Sequence, residues 1–271
     1  MILSAARPYF CPHPGYFARI LASDVFVILD EVQFPRGTTW ITRNRFKNDQ
    51  GTLWMTIPVR KKGLGLQKVS DVRICREGRW QRKHLASLQQ AYRHAPYRDD
   101  HLGIFEQMFL SGQDSMLDMD MEFMAYVLSE LDCSTRIVRM SGAGVQGLGT
   151  GLLVELCREL GAERYLVQDS ARKLIDTNLF EEAGIGLEHM KPSAPVYPQL
   201  WGGFIANLSV FDLLFTCGPK ARKRLMRTSC LIPTRSSSGS RIMRAMRPRK
   251  PVSEIRRSEP TKRRRLLKPH K

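Results

Sequence analysis

Residues 23–31 read Ser-Asp-Val-Phe-Val-Ile-Leu-Asp-Glu. The apolar run Val25 to Leu29 shows no polar alternation, which is the pattern of a strand covered on both faces. Such strands sit in parallel sheets between helical layers, so this stretch points to an α/β architecture. The run ends in Asp30 and Glu31, at the carboxyl end of the strand. In open α/β sheets that edge binds ligands, which makes Asp30, Glu31 and Gln33 candidate site residues.

Upstream, PYFCPHPGYF (8–17) packs three prolines and four aromatics into ten residues and is expected as a rigid aromatic loop, followed by a helical turn over 17–22. Downstream, WITRNRFK (40–47) and LWMTIPV (53–59) alternate apolar with polar residues around Asn48-Asp-Gln-Gly51, the signature of a β-hairpin with a four-residue loop. A third strand is expected over 69–74. Residues 80–92 read as a helix on which Trp80, His84 and Leu88 follow at steps of four, leaving His84 half-buried beside Lys83. Helices are expected over 101–110 and 115–131, and a strand over 136–140.

Next comes Gly142-Ala-Gly-Val-Gln-Gly147, a GxGxxG match, then a helix over 150–160, a short strand at 165–167, and Asp169. This order admits a dinucleotide reading through Gly142, Gly144, Gly147 and Asp169. The additional glycines Gly149 and Gly151 and the late helix start favour a flexible loop instead. After residues 180–187 and a Pro-rich stretch, a helix over 208–215 is introduced by Asn207 and stopped by Gly218-Pro219. The expected fold is a mostly parallel sheet flanked by helices with an inserted β-hairpin, as one domain over 1–222.

Charge divides the chain at the same place. Residues 220–271 hold 19 Lys and Arg against Glu254 and Glu259, whereas residues 1–219 hold 24 basic and 24 acidic side chains. The net charge of +17 therefore belongs to the end of the chain, and the neutral body gives no argument for nucleic-acid binding. Residues 220–271 contain no Phe, Trp or Tyr, and residues 223–271 are expected as a disordered basic tail, read as a translated extension outside the domain, as an electrostatic tether to nucleic acid or anionic membrane, or as a nuclear-localisation run at KRRRLLKPHK. Six scattered cysteines without a CxxC pair suggest neither zinc nor a disulfide framework, and no cofactor is expected. No apolar run is long enough to span a bilayer and no signal peptide is apparent, so a cytoplasmic protein is expected.

Taken in order, PYFCPHPGYF (8–17), SDVFVILDEVQF (23–34), WITRNRFK (40–47), WQRKHLASLQQAYRHAPY (80–97), LCRELGAERYLVQ (156–168) and YPQLWGGFIANLSVFDLLFTCGP (197–219) resemble the WbqC-like family over residues 2–222. The resemblance implies a place among bacterial O-antigen and other surface-polysaccharide proteins, with transfer of an amino-acyl group, such as glycyl, to an amino sugar. Matching positions carry over the 8–15 loop, Asp30, Gln33, Asn44, His84, Tyr92 and Asn207. One position departs: Ala6-Arg7 stand where the family commonly has His-Gln.

Acyl transfer to a sugar amine needs a base, a partner for the developing oxyanion, and walls for the sugar ring. Asp30 or His84 is the expected base, Arg43 or Lys83 the partner of a diphosphate or oxyanion, and Tyr9, Phe10 and Trp40 the stacking surfaces. Gln33, Asn44, Tyr92 and Asn207 complete the expected binding set for a nucleotide-sugar or amino-sugar substrate. The competing class is a non-catalytic protein that binds a nucleotide sugar or a partner enzyme, with a polyanion-binding tail.

Overall fold

The computed structural model describes residues 1–227 and the strand at 229–232. In chain order the elements are β1 (Ile2–Ala6), α1 (Pro14–Leu21), β2 (Val25–Ile28), β3 (Arg43–Asn48), β4 (Gly51–Thr56), α2 (Trp80–Ala91), α3 (Arg98–Leu110), α4 (Met116–Glu130), β5 (Arg136–Arg139), α5 (Met140–Ala143), α6 (Gly149–Glu159), β6 (Arg164–Gln168), α7 (Thr177–Glu182), β7 (Gly186–Pro192), α8 (Val210–Cys217), α9 (Ala221–Met226) and β8 (Ser229–Ile232). One sheet has the strand order β5-β2-β1-β6-β7-β8; β8 alone runs antiparallel, along the β7 edge. The hairpin β3-β4 stands apart as a second sheet.

The Val25–Ile28 strand is buried throughout, and its alternate side chains serve two cores. Phe26 and Ile28 join Phe10, Phe17, Phe105, Phe123, Phe211 and Phe215 on the face covered by α1, α3, α4 and α8. Val25 and Val27 join Leu3, Leu152, Leu156 and Phe180 on the face covered by α6 and α7. Each of these four side chains is worth roughly 1.5–3 kcal/mol in transfer free energy. A charge at Val27 would therefore be buried without a partner between the sheet and its helical cover.

Several expectations are corrected. The 8–17 segment is loop only to His13: Pro14 opens α1, where its missing N–H costs nothing, and the His13 imidazole caps the helix by accepting from Gly15 N at 3.1 Å. The hairpin loop is two residues, Asp49-Gln50, because Asn48 pairs with Gly51, whose φ of +103° suits glycine. Residues 69–74 form a 3₁₀ turn (Val69–Asp71) with isolated bridges from Arg73 and Ile74, not a third strand. Helix α8 begins at Val210 and is capped by Ser209, while Asn207 stands outside it at φ +56°.

The glycine motif does not form a dinucleotide cradle. Gly142 lies inside the one-turn helix α5, Gly144 is its left-handed cap, and α6 starts only at Gly149. Asp169 follows β6, which is separated from β5 by β2 and β1, a gap of about 14 Å at normal strand spacing. The structure also continues past residue 222. Leu225 of α9 is fully buried and β8 adds an edge strand, so the apolar residues at 225–232 were hidden in the basic composition around them. The remainder of the expected tail, residues 233–271, lies outside the described residues. No helix among the described residues is long and apolar enough to cross a membrane.

Candidate functional site

Three segments far apart in sequence lock together around the start of the hairpin. Asn44, almost fully buried on β3, donates from Nδ2 to the carbonyls of Phe10 (2.9 Å) and Cys11 (2.8 Å) and accepts the Arg45 N–H on Oδ1 (2.8 Å). Phe10 N donates to Trp40 O, Val210 N to Pro12 O, and Ser209 N to Arg45 O. The 8–13 loop, the hairpin entry and the start of α8 thus form one rigid unit.

Side chains alternate along a strand, so Arg43, Arg45 and Lys47 share the hairpin face turned away from the Phe46 core, opposite Thr56, Trp54 and Thr52. The inner end of this ladder is closed. Lys47 is buried beneath residues 199–203, with Nζ donating to Gln199 Oε1 (3.2 Å) and Gly203 O (2.6 Å); burial lowers its pKa, against the charge of Asp212. In the middle, Arg45 donates from Nη2 to Ala206 O (3.3 Å) and Asn207 O (3.0 Å).

The outer end is open. Trp40 and Trp54 are 40% and 43% exposed, with ring centroids 5.8 Å apart. The Arg43 guanidinium carbon lies 3.7 Å from the Trp54 centroid, and that of Arg45 lies 5.9 and 6.0 Å from the two rings. Among the described residues neither arginine has a carboxylate partner, and both Nε atoms are buried without a hydrogen bond. Two guanidinium groups without an ion-pair partner among the described residues, beside exposed indole faces, form a surface suited to an anion that carries a ring.

His13 adjoins this surface. Burial, reinforced by the charges of Arg19 and Arg45, lowers its pKa to about 4, so the ring is neutral at neutral pH. Because Nδ1 accepts from Gly15 N, the proton resides on Nε2, which is left as a donor.

The expected site residues divide into groups. Trp40, Arg43 and Asn44 meet at the hairpin, and Asn207 joins through its carbonyl, its side chain being exposed. Half-buried Tyr9, in the adjoining loop, packs its ring 5.3 Å from that of Tyr16 on α1. His84 reaches the hairpin edge: its Nε2 lies 2.8 Å from the carbonyl oxygen of Thr56, the cross-strand partner of Arg43. That contact assigns the proton to Nε2 and leaves Nδ1 as the acceptor, while burial lowers the pKa. Lys83, beside it on α2, is exposed.

Other expected residues belong to the framework. Phe10 is fully buried edge-on to Phe123. Tyr92 is equally buried, donating to Asp212 Oδ2 at 2.7 Å and accepting from Lys47 N at 3.1 Å, so neither side chain is available to a ligand on the surface. Asp30 is 1% exposed and accepts from Ser141 N (3.0 Å) and Ser141 Oγ (2.6 Å), clasping the ends of β2 and β5. Gln33 is exposed and bridges to Lys68. Neither Asp30 nor Gln33 shares a hydrogen bond with the hairpin cluster.

The WbqC-like protein family matches residues 7–224, most of the chain. This chain belongs to that family. As a WbqC-like protein it is also similar to Rv1507c of Mycobacterium tuberculosis, a protein described as uncharacterized, at 31% identity over 215 residues; the match covers 78% of this chain and 92% of that protein. No solved structure matches. The family match spans every segment that builds the hairpin cluster, from the 8–13 loop to α8. Sequence reasoning missed Arg45 and Trp54 as members of that cluster and held His13 only as part of the 8–15 loop that the resemblance carries over.

Proposed function

We propose that this WbqC-like protein binds a nucleotide-linked amino sugar at the Trp40–Arg43–Arg45–Trp54 surface and acts in the cytoplasm as an amino-acyl transferase of surface-polysaccharide assembly. The observation that carries the reading is the pair of arginines that have no carboxylate partner among the described residues, one of them stacked on an exposed tryptophan. A diphosphate would take charge-assisted hydrogen bonds from the guanidinium groups, and a base or sugar ring would lie on the indoles.

In the transfer itself, the sugar amine attacks the acyl carbonyl of an activated amino-acyl ester or thioester. A C–N bond forms, the bond from carbonyl carbon to leaving atom breaks, and the amine proton must be removed. His84 suits the base, since its Nδ1 is unpartnered among the described residues and its lowered pKa keeps it neutral at pH 7. His13 Nε2–H suits a donor to the oxyanion. Asp30 is less suited, being buried with both oxygens engaged by Ser141.

The test is to incubate the full chain with nucleoside-diphosphate amino sugars and activated amino acids and to follow product mass. Turnover should fall by orders of magnitude in His84→Ala while Asp30→Asn, if folded, keeps most of it. Nucleotide-sugar binding without any turnover would support the non-catalytic alternative. The charge asymmetry favours a second partner, a polyanion such as nucleic acid or anionic lipid, bound by the basic segment with an affinity that falls steeply with salt.

A further inference from the structure

Residues 60–68, Arg-Lys-Lys-Gly-Leu-Gly-Leu-Gln-Lys, form a loop pinned at its base. Gln67 Nε2 donates to Arg60 O (3.2 Å), Arg60 N to Arg73 O (2.9 Å), and Phe34 N to Gln67 O (2.9 Å). Lys61 donates from Nζ to the carbonyls of Arg36 and Gly37, both at 3.4 Å, and lies 5.0 Å from the centroid of the Phe34 ring. Beyond this base the tip turns through Gly63 and Gly65 at φ +79° and +63°, a backbone that other residues rarely adopt.

The tip holds Leu64 and Leu66, 51% and 59% exposed, with no core to enter. Around them Arg36, Arg60, Lys61, Lys62, Lys68 and Arg73 are all exposed. The nearby acids are fewer: Glu31, which pairs with Lys68, Asp71, and buried Asp30. In water alone, two adjacent exposed leucines are an expense that a polar loop of the same shape would avoid.

We propose that this loop seats the protein on an anionic lipid surface, with Leu64 and Leu66 entering the acyl boundary and the surrounding cations lying among the headgroup phosphates. Apolar residues at a rigidly based tip with a basic surround match the layered chemistry of a bilayer interface. A nucleic-acid site would instead place aromatic side chains among the cations for base stacking, and the tip has none. Gly37, bonded to Lys61, stands three residues from Trp40, at most about 11 Å along an extended chain. A seated loop therefore holds the tryptophan–arginine surface close to the membrane. The proposal does not rest on which ligand that surface takes.

The test is vesicle flotation of the full chain, with phosphatidylcholine alone and mixed with phosphatidylglycerol, at low salt and at about 0.5 M salt, where screening extends only a few ångströms. Residues 233–271, with 14 Lys and Arg against Glu254 and Glu259, would add an electrostatic attraction that salt weakens and that substitution of Leu64 and Leu66 does not alter. The expected result is binding to the mixed vesicles that persists in part at high salt, with the high-salt fraction reduced at least tenfold in Leu64→Ser/Leu66→Ser. Because both leucines are exposed, that variant should melt as the parent does, and the melt separates loss of binding from loss of folding. Complete release of the parent chain by salt, or equal flotation of the leucine variant, would overturn the proposal and leave electrostatic contact with a polyanion.

Discussion

Replacing Asn44 by Ala removes three hydrogen bonds at once and fills none of the space. The Phe10 and Cys11 carbonyls lose their donor and the Arg45 N–H loses its acceptor, all at a side chain 1% exposed. A buried polar group left unpaired costs about 1–3 kcal/mol, and partial rehydration brings three such groups to a sum of about 3–5 kcal/mol. In a domain of this size that corresponds to a fall of about 6–20 °C in Tm. Urea unfolding followed by circular dichroism gives the free energy, and a thermal melt gives the shift. Asn44→Asp sharpens the test: it keeps the acceptor for Arg45 N–H but turns a carboxylate toward two carbonyl oxygens, so it should be worse than Ala. A loss below about 1 kcal/mol for Asn44→Ala, or an Asp variant as stable as the parent, would refute the claim that this amide ties the 8–13 loop to the hairpin.

Three further outcomes are expected. Tyr92→Phe should cost about 2–3 kcal/mol in urea unfolding, since it strips a donor from buried Asp212 and an acceptor from Lys47 N–H. His13 has a folded-state pKa of about 4 against 6.5 when unfolded, so its contribution is fully present above pH 6.5 and is lost as pH falls toward 4. That contribution is at most about 3 kcal/mol, and His13→Asn, which keeps a capping acceptor but cannot titrate, should show a shallower loss between pH 7 and 4.5; parallel curves would contradict the assignment. A chain ending at residue 222 should melt several degrees below one ending at 232, because it lacks buried Leu225 and the β8 edge strand.

The strand at Val25–Ile28 was legible because a strand buried on both faces needs no alternation to be recognised. Its neighbour β1 was not, although it lies at the centre of the sheet between β2 and β6. Ile-Leu-Ser-Ala-Ala has little β-branched character, and its fully buried Ser4 reads as a surface residue. Residues 69–74 misled in the opposite sense, since Val69, Val72 and Ile74 are all fully buried from a tight turn that only bridges to other segments.

Part of the proposed binding surface was available from register alone. A loop at 48–51 already sets Arg43 opposite Thr56 and Arg45 opposite Trp54, the pairing observed. The alternation rule then places Arg43, Arg45 and Trp54 on one face. His13 had no such signal, because its role depends on where α1 begins and on the charge of Arg45 across the fold. Asp30 stood at the expected sheet edge, yet a serine 111 positions away in the chain engages both of its oxygens, a pairing no local pattern reveals.

The Trp40–Arg43–Arg45–Trp54 surface is proposed to hold a nucleotide-linked sugar. Isothermal titration of nucleoside-diphosphate amino sugars into the full chain and into Arg43→Ala tests it most directly. Loss of a charge-assisted contact of about 1.5–3 kcal/mol predicts roughly 10- to 150-fold weaker binding in the variant with unchanged stoichiometry. Equal affinity in the two proteins, or no heat with any nucleotide sugar in the parent chain, would contradict it.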